Sequence, residues 1–242
     1  MNKKNKITGI ILAAGRGRRL KNFELPKSLI KYKNKYLIEH IINNFEKNHI
    51  NNINIITGYK KKVIEKNTNV KSYLHNKFWR KTNMVYSLTK ADKVLSKNYS
   101  IISYADIYYS SELINEIKKK KYDICIASYL NWKKLWRKRF KDPLNDLEGF
   151  RRNGNKLLDI GFNERNLKDI EGQYMGVIGI SSKGWKLIKK NLSKYKNEDL
   201  KKISFTELLK KLIFDENLNI KIIDYSKKFF EIDFQNDLKF ML

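Results

Sequence analysis

The sequence predicts an α/β protein with a mostly parallel sheet flanked by helices, and three observations carry that prediction. Apolar runs of strand length alternate with stretches of helical period from the start of the chain to about residue 130. The helical stretches gather their apolar residues on one stripe, as surface helices over a sheet do. Asn153-Gly154 between two extended runs then marks a β-hairpin that departs from the alternation, a small extension to the main sheet. At 242 residues the chain suffices for one sizeable core, so a single domain over 1–242 is expected. With 41% hydrophobic residues and only two prolines, it is expected to fold throughout, without a long linker.

Taken in order, ITGIILAAG reads as a buried strand. YLIEHIINNFEKN places Leu37, Ile38, Ile41, Ile42 and Phe45 on one helical face, and NINIITGY is a second strand. A strand, helix, strand order of this kind is the unit of a parallel pair with a right-handed crossover. NMVYSLTKADKVL predicts a helix, YSIISYADIYY a strand, SELINEIKKKK a helix and YDICIASYL a strand. GFRRNGNKLLDIGF is the hairpin, and EGQYMGVIGISSKGW a glycine-interrupted strand that enters a helix at about Lys183. SFTELLKKLIF is a helix that opens on a capping box, Ser204 with Glu207 three residues on. IKIIDY and FFEID close the chain as short strands, and no internal repeat is present.

The net charge of +27 raises the question of a polyanionic partner. The basic clusters at 60–62, 118–121 and 133–140 are spread along the chain, not gathered in one arm. In SFTELLKKLIFDE the apolar stripe of Phe205, Leu208, Leu209, Leu212 and Ile213 leaves Lys210 and Lys211 on a solvated face. Abundant Lys, Asn and Ile together point to a compositional bias, so no nucleic acid is expected as partner. A basic nucleic-acid binder on an inactive scaffold is the contrasting reading, and a steep salt dependence would be its signature. Cys125 is the only cysteine, which excludes an internal disulfide and fits a reducing cytoplasm. No apolar run is long enough for a membrane span, and MNKKNK leads into a first strand, not a signal sequence. His40, His49 and His75 lack metal-ligand spacing.

IILAAGRGRRL, residues 10–20, carries the chemistry. A glycine turn after a strand lets backbone amides face an anion, and Arg16, Arg18 and Arg19 add fixed charge. The spacing is neither the dinucleotide fingerprint, since position 20 is Leu20, nor a P-loop, and an ordinary βα turn has the same composition. With PKSL following, however, the segment resembles the signature of the nucleoside triphosphate transferase family, and the resemblance implies its Rossmann-like nucleotidyltransferase fold. It also implies that the backbone of Leu12, Ala13, Ala14, Gly15 and Gly17 wraps the nucleotide, while Arg16, Arg19 and Lys27 meet phosphate charge. TGY, TNMVYSL, SYADIYYS, NWKKLWRKRFKDPLNDLEGFR, IEGQYMGVIGISSKGW and EID follow in the order seen in cytidylyltransferases that activate 2-aminoethylphosphonate, relatives of the phosphocholine enzymes.

From that resemblance, Gly58, Tyr59, Asn83, Ser87 and Ala105 are expected nucleotide contacts, and Asp106 with Asp233 the Mg²⁺ site, Glu231 and Asp237 being nearby alternatives. An insertion over about 129–176 is expected to bind the acceptor through Trp132, Arg139, Gln173 and Tyr174. That tract offers aromatics (Trp132, Trp136, Phe140) for a quaternary ammonium and carboxylates (Asp142, Asp146, Glu148) for a primary amine. The implied reaction joins CTP to a small phosphonate, first 2-aminoethylphosphonate, releases pyrophosphate, and gives a CMP-activated headgroup for cell-surface decoration. Phosphocholine is the runner-up acceptor, a sugar 1-phosphate is less expected, and a homodimer is compatible with the sequence. No general base is obligatory, because a phosphate or phosphonate monoester with a second pKa of roughly 6 is already mostly dianionic near neutrality.

Overall fold

Strands buried on both faces are what a sheet sandwiched between helices requires, and the apolar runs meet that demand: Ile53–Thr57 is buried at all five positions and Ile124–Tyr129 at all six. The computed structural model describes residues 6–20, 23–161, 167–216 and 218–241, so most of the MNKKNK start and Phe162, at the end of the predicted hairpin run, lie outside the described residues. In chain order the elements are β1 Ile7–Ala13, β2 Lys31–Tyr32, β3 Lys35–Tyr36, α1 Leu37–Lys47, β4 Ile53–Thr57, α2 Lys61–Lys66 and β5 Ser72–His75. Next come α3 Met84–Leu88, α4 Asp92–Leu95, β6 Tyr99–Tyr104, β7 Ile107–Tyr108, α5 Ser111–Lys120, β8 Ile124–Tyr129 and α6 Trp132–Arg139. The chain continues with β9 Gly149–Asn153, β10 Lys156–Ile160, β11 Gly172–Ile180, α7 Ser182–Leu192, α8 Asn197–Lys202, α9 Phe205–Phe214, β12 Lys221–Tyr225 and β13 Phe230–Glu231.

Nine strands form one mixed sheet in the order β5-β4-β1-β6-β11-β8-β12-β10-β9. β1 lies parallel between β4 and β6, while β11 is antiparallel to both β6 and β8. Period-two alternation divides the core between the faces: Ile11, Ile55 and Ile101 pack with α1, and Ile10, Ile56 and Ile102 pack with Leu88, Trp185 and Leu208. A third, smaller cluster joins Leu20, Ile30, Tyr32 and Leu37 to Phe230 and Ile232, tying the segment after β1 to the C-terminal strand. The hairpin turns at Gly154 (φ +55°) between β9 and β10, and the Ser204/Glu207 capping box is formed. Among the described residues no helix is long and apolar enough to cross a membrane.

Two predicted elements are interrupted. The helix expected over 83–95 splits into α3, a tight turn at Thr89–Ala91 and α4, with the Thr89 hydroxyl donating to the Tyr86 carbonyl at 2.7 Å. YSIISYADIYY leaves the main sheet after Tyr104, and its second half, β7, pairs with β13 instead. The departure places Ala105 and Asp106 in the gap between two sheets. α2, β5, α6 and α8 are further elements, not anticipated from the sequence.

Candidate active site

The carboxyl ends of β1 and β6, with the start of β11 beside them, surround a cavity of about 700 Å³, the place where α/β sheets hold ligands. The loop after β1 forms one wall. Gly17 has φ +69°, and a Cβ there would stand 2.5 Å from the Lys27 stem, so glycine is demanded twice, by conformation and by the lysine laid across it. The amides of Gly15, Arg16 and Gly17 donate to no other described residue. Gly15 and Gly17 line the cavity, and amides without a partner among the described residues are what an anion-binding nest requires.

Lys27 follows Pro26 into a single 3₁₀ turn and is 8% exposed. Its ammonium lies 3.4 Å from Asp106 Oδ2 and 2.5 Å from Asp233 Oδ1. A lysine so enclosed is tolerable only because it is paired. Burial pulls its pKa down, but Asp106 and Asp233 outweigh that and hold it above the ordinary value. For Asp233 burial works upward, and Lys27, Arg19 and Arg139 together hold it below the usual carboxylate range. Asp106 is raised by burial, against the pull of Lys27.

Arg19 reaches across the cavity mouth to Asp146 at 2.7 Å and Asp233 at 2.8 Å, its guanidinium over the Phe234 ring. Carboxylate oxygens of Asp146, Glu231 and Asp233 come within 4.8 Å of one another. All three have cationic partners, Arg19 on Asp146 and Asp233, Arg139 on Glu231, and Lys27 on Asp233. Asp106 and Asp233 converge on one cation, the Lys27 ammonium, and offer hard oxygen donors. That donor set fits Mg²⁺, which takes one or two carboxylates and otherwise water and phosphate oxygens.

A second wall is organised by Asn76, a fully buried residue just after β5. Its amide nitrogen donates to Thr82 Oγ1 and Ser87 Oγ, both at 2.9 Å, and its oxygen accepts from the Phe78 amide at 3.0 Å. Trp79, Thr82, Asn83 and Ser87 are thereby held along the cavity. Asn83 is also tied outward, its backbone N–H to Lys201 O at 2.7 Å and its side chain to Lys202 O.

The opposite end is lined by Leu144, Asp146, Leu147, Glu148, Ile170 and Gln173. Glu148 is pushed up to about 7 by burial, then by the neighbouring charges of Asp146 and Asp233.

Of the residues singled out in the sequence, Leu12, Ala13, Ala14, Gly15, Gly17, Arg19 and Lys27 line the cavity, as do Asn83, Ser87, Ala105, Asp106, Gln173 and Asp233. Six stand elsewhere. Arg16 is exposed, over the ring of Tyr59. Gly58 and Tyr59 lie behind the loop: the Tyr59 amide donates to Ala14 O at 3.0 Å, and a Cβ on Gly58 would come within 2.5 Å of the same oxygen. Trp132 (3% exposed) and Tyr174 (1% exposed) are core residues, because the indole packs under α6 and the phenol meets Tyr104 edge-on within the sheet. Arg139 is enclosed by Glu231 and Asp237. Asn76, Trp79 and Tyr104 serve the site without having been placed in it by sequence reasoning. A lone Asn after a strand carries no pattern, although Trp79 stands three residues before the start of TNMVYSL.

A family model described as the MobA-like NTP transferase domain matches residues 9–165. A CTP:phosphoglutamine cytidylyltransferase from Campylobacter jejuni is 30% identical over 250 residues, 96% of this chain and 98% of that protein. The bifunctional protein GlmU of Acholeplasma laidlawii is 39% identical over 56 residues, 23% of this chain and 12% of that protein. Among solved structures, the inositol-1-phosphate CTP transferase from T. maritima superposes with TM-score 0.76 at 19% identity, covering 98% of this chain and 94% of that one. The CTP:phosphocholine cytidylyltransferase from Streptococcus pneumoniae has TM-score 0.68 at 20% identity, covering 97% of this chain and 96% of its own. At these identities the structural likenesses establish the α/β nucleotidyltransferase fold.

Proposed function

The chain belongs to the MobA-like NTP transferase family, and on that premise we propose that it transfers the cytidylyl group of CTP to a small nitrogen-bearing phosphonate or phosphate monoester, 2-aminoethylphosphonate first. The observation that carries the proposal is the meeting of Lys27, Asp106 and Asp233, from three distant parts of the chain, beside a loop with free amides. An acceptor oxygen attacks the α-phosphorus, the bond to the α,β-bridging oxygen breaks, and pyrophosphate leaves. Lys27 offsets the charge that gathers on the α-phosphate as five oxygens crowd the phosphorus. Arg19 meets the β and γ phosphates, with the exposed Arg16 of the same loop, and favours departure of pyrophosphate. Asp106 and Asp233 would hold Mg²⁺, which supplies charge neutralisation across phosphate oxygens.

The far end of the cavity favours a nitrogen-bearing acceptor over a polyol. Leu144, Leu147 and Ile170 provide apolar walls, and the carboxyl groups of Glu148 and Asp146 stand among them, Asp146 paired with Arg19. Phosphoglutamine, on which the Campylobacter jejuni relative is named as acting, and phosphocholine are the competing acceptors. Pyrophosphate release with Mg²⁺ and each of CTP, UTP, GTP and ATP tests the reading against 2-aminoethylphosphonate, phosphocholine, phosphoglutamine and glucose 1-phosphate. Turnover is expected with CTP and a nitrogen-bearing acceptor. Turnover confined to glucose 1-phosphate, or none with any pair, would overturn it.

A further inference from the structure

We infer that α6 and two turns beside it form a docking surface for an anionic phospholipid bilayer, which the protein binds peripherally. The inference is independent of the cytidylyl-transfer reading, since no residue of α6 lines the cavity. It starts from the period of the helix. Trp132, Leu135, Trp136 and Arg139 turn one stripe toward the protein. Lys133, Lys134, Arg137 and Lys138, at i, i+1, i+4 and i+5, cover the opposite half and are exposed.

These four cations are not neutralised. α6 contains no carboxylate, and none of the four has an ion-pair partner among the described residues. The equally basic α7 behaves differently: Lys183 pairs with Asp123, Lys189 with Asp92 and Lys190 with Glu216. Two further segments extend the charge of α6. The Leu130 amide donates to Tyr225 O at 2.9 Å and the Asn131 side chain to Ser226 O at 3.0 Å, so the turn with the exposed Lys227 and Lys228 is tied to the start of the helix. Lys228 and Lys33 share the Tyr32 ring, at 5.0 and 5.5 Å from its centroid, which brings the turn between β2 and β3 alongside. Three stretches far apart in sequence thus converge on a surface of one sign, self-repelling in the free protein and relieved by a surface of opposite charge.

An anionic bilayer fits this surface better than a nucleic acid does. Its headgroups spread negative charge over a plane and demand no register, which suits cations distributed over a helix face and two turns. Leu130, 50% exposed at the N-terminal edge of α6, adds an apolar side chain that can enter the acyl boundary and has no use among phosphates. Single-stranded bases would call for exposed stacking rings, and the tryptophans of α6, Trp132 and Trp136, are 3% and 0% exposed. α6 ends on Arg139, bound to Glu231 and Asp237 beside the cavity, so the docked protein holds its site near the bilayer.

The test is flotation with vesicles of phosphatidylcholine alone and with vesicles in which about a third of the lipid is phosphatidylglycerol, at about 0.1 M salt. The wild type is compared with Lys133→Gln/Lys134→Gln/Arg137→Gln/Lys138→Gln, with Leu130→Ser, and with a charge-matched α7 variant, Lys183→Gln/Lys186→Gln/Lys189→Gln/Lys190→Gln. The wild type is expected to float with the anionic vesicles alone. The quadruple α6 variant should lose roughly 100-fold or more in affinity, at on the order of fivefold per cation, while the α7 variant stays close to the wild type. Leu130→Ser should weaken binding several-fold. Should the quadruple α6 variant melt early, Lys133→Gln/Lys134→Gln and Arg137→Gln/Lys138→Gln decide in its place. Equal losses in the α6 and α7 variants would make the net charge of +27 responsible and overturn the surface. No binding to the anionic vesicles, or equal binding to both kinds, would do the same. Tighter binding of a random-sequence DNA or RNA duplex than of the vesicles, lost in the α6 variant and kept in Leu130→Ser, would assign the face to a nucleic acid and overturn the bilayer.

Discussion

Asp233 owes its place to a residue four positions further on. The Asp237 carboxylate, 1% exposed as a residue, accepts the backbone N–H groups of Asp233 and Phe234 at 2.9 Å and closes the turn that aims Asp233 at Lys27. Arg139 anchors Asp237 in turn, with Nε on Oδ1 at 2.9 Å and a second bond to Oδ2 at 3.1 Å, and its guanidinium lies over the rings of Trp136 and Phe140. Arg139, expected from the sequence as an acceptor contact, instead orders the turn that carries Asp233. Asp237→Asn should lower stability by about 1–3 kcal/mol, the cost of weakening a buried charge-assisted network. It should reduce kcat with little change in acceptor KM, as urea unfolding and steady-state kinetics would check. A direct role of this pair in holding the acceptor would raise KM instead.

Among the elements, those with a clean pattern were legible: α1 buries the five residues its spacing put on one face and α9 four of its five, Ile213 staying half-buried, while the apolar runs of β4 and β8 are buried throughout. The break at Ala105–Asp106 was not, because Ile107, Tyr108 and Tyr109 continue the apolar run and only a different partner strand ends the pairing. α6 was hidden by its lysines, although Trp132, Trp136 and Arg139 recur at i, i+4 and i+7 as its buried stripe. The end of β4 carries another demand that sequence alone conceals. Gly58 lies against the back of the loop after β1, where a Cβ would stand 2.5 Å from Ala14 O and 2.6 Å from Trp79 Cβ. Gly58→Ala should displace the loop and weaken binding of a non-hydrolysable CTP analogue on the order of 10- to 100-fold, the scale of sub-ångström to ångström misplacement at a positioned site. Calorimetric titration would read that loss, and the melting temperature would separate it from unfolding.

Over the whole molecule, topology gathers the site from residues up to 206 positions apart. The third cluster clamps the segment after β1 to Phe230 and Ile232, the Ile232 amide donates to Asp106 O at 3.0 Å, and β7 pairs with β13. These contacts bring Lys27, Asp106 and Asp233 to one point, and neither periodicity nor composition could have shown that they meet. Only the family likeness of LAAGRGRRL and PKSL connected them in advance. Basic residues meanwhile stay on solvated positions such as Lys133, Lys134, Arg137 and Lys138 of α6. The most direct measurement is pyrophosphate release from CTP and 2-aminoethylphosphonate with Mg²⁺, wild type beside Asp106→Ala. The wild type should turn over, and the variant should fall by roughly 100-fold or more while melting as a folded protein, the loss expected when a charge-stabilising group at a transferring phosphate is removed. An Asp106→Ala enzyme as fast as the wild type would contradict the account.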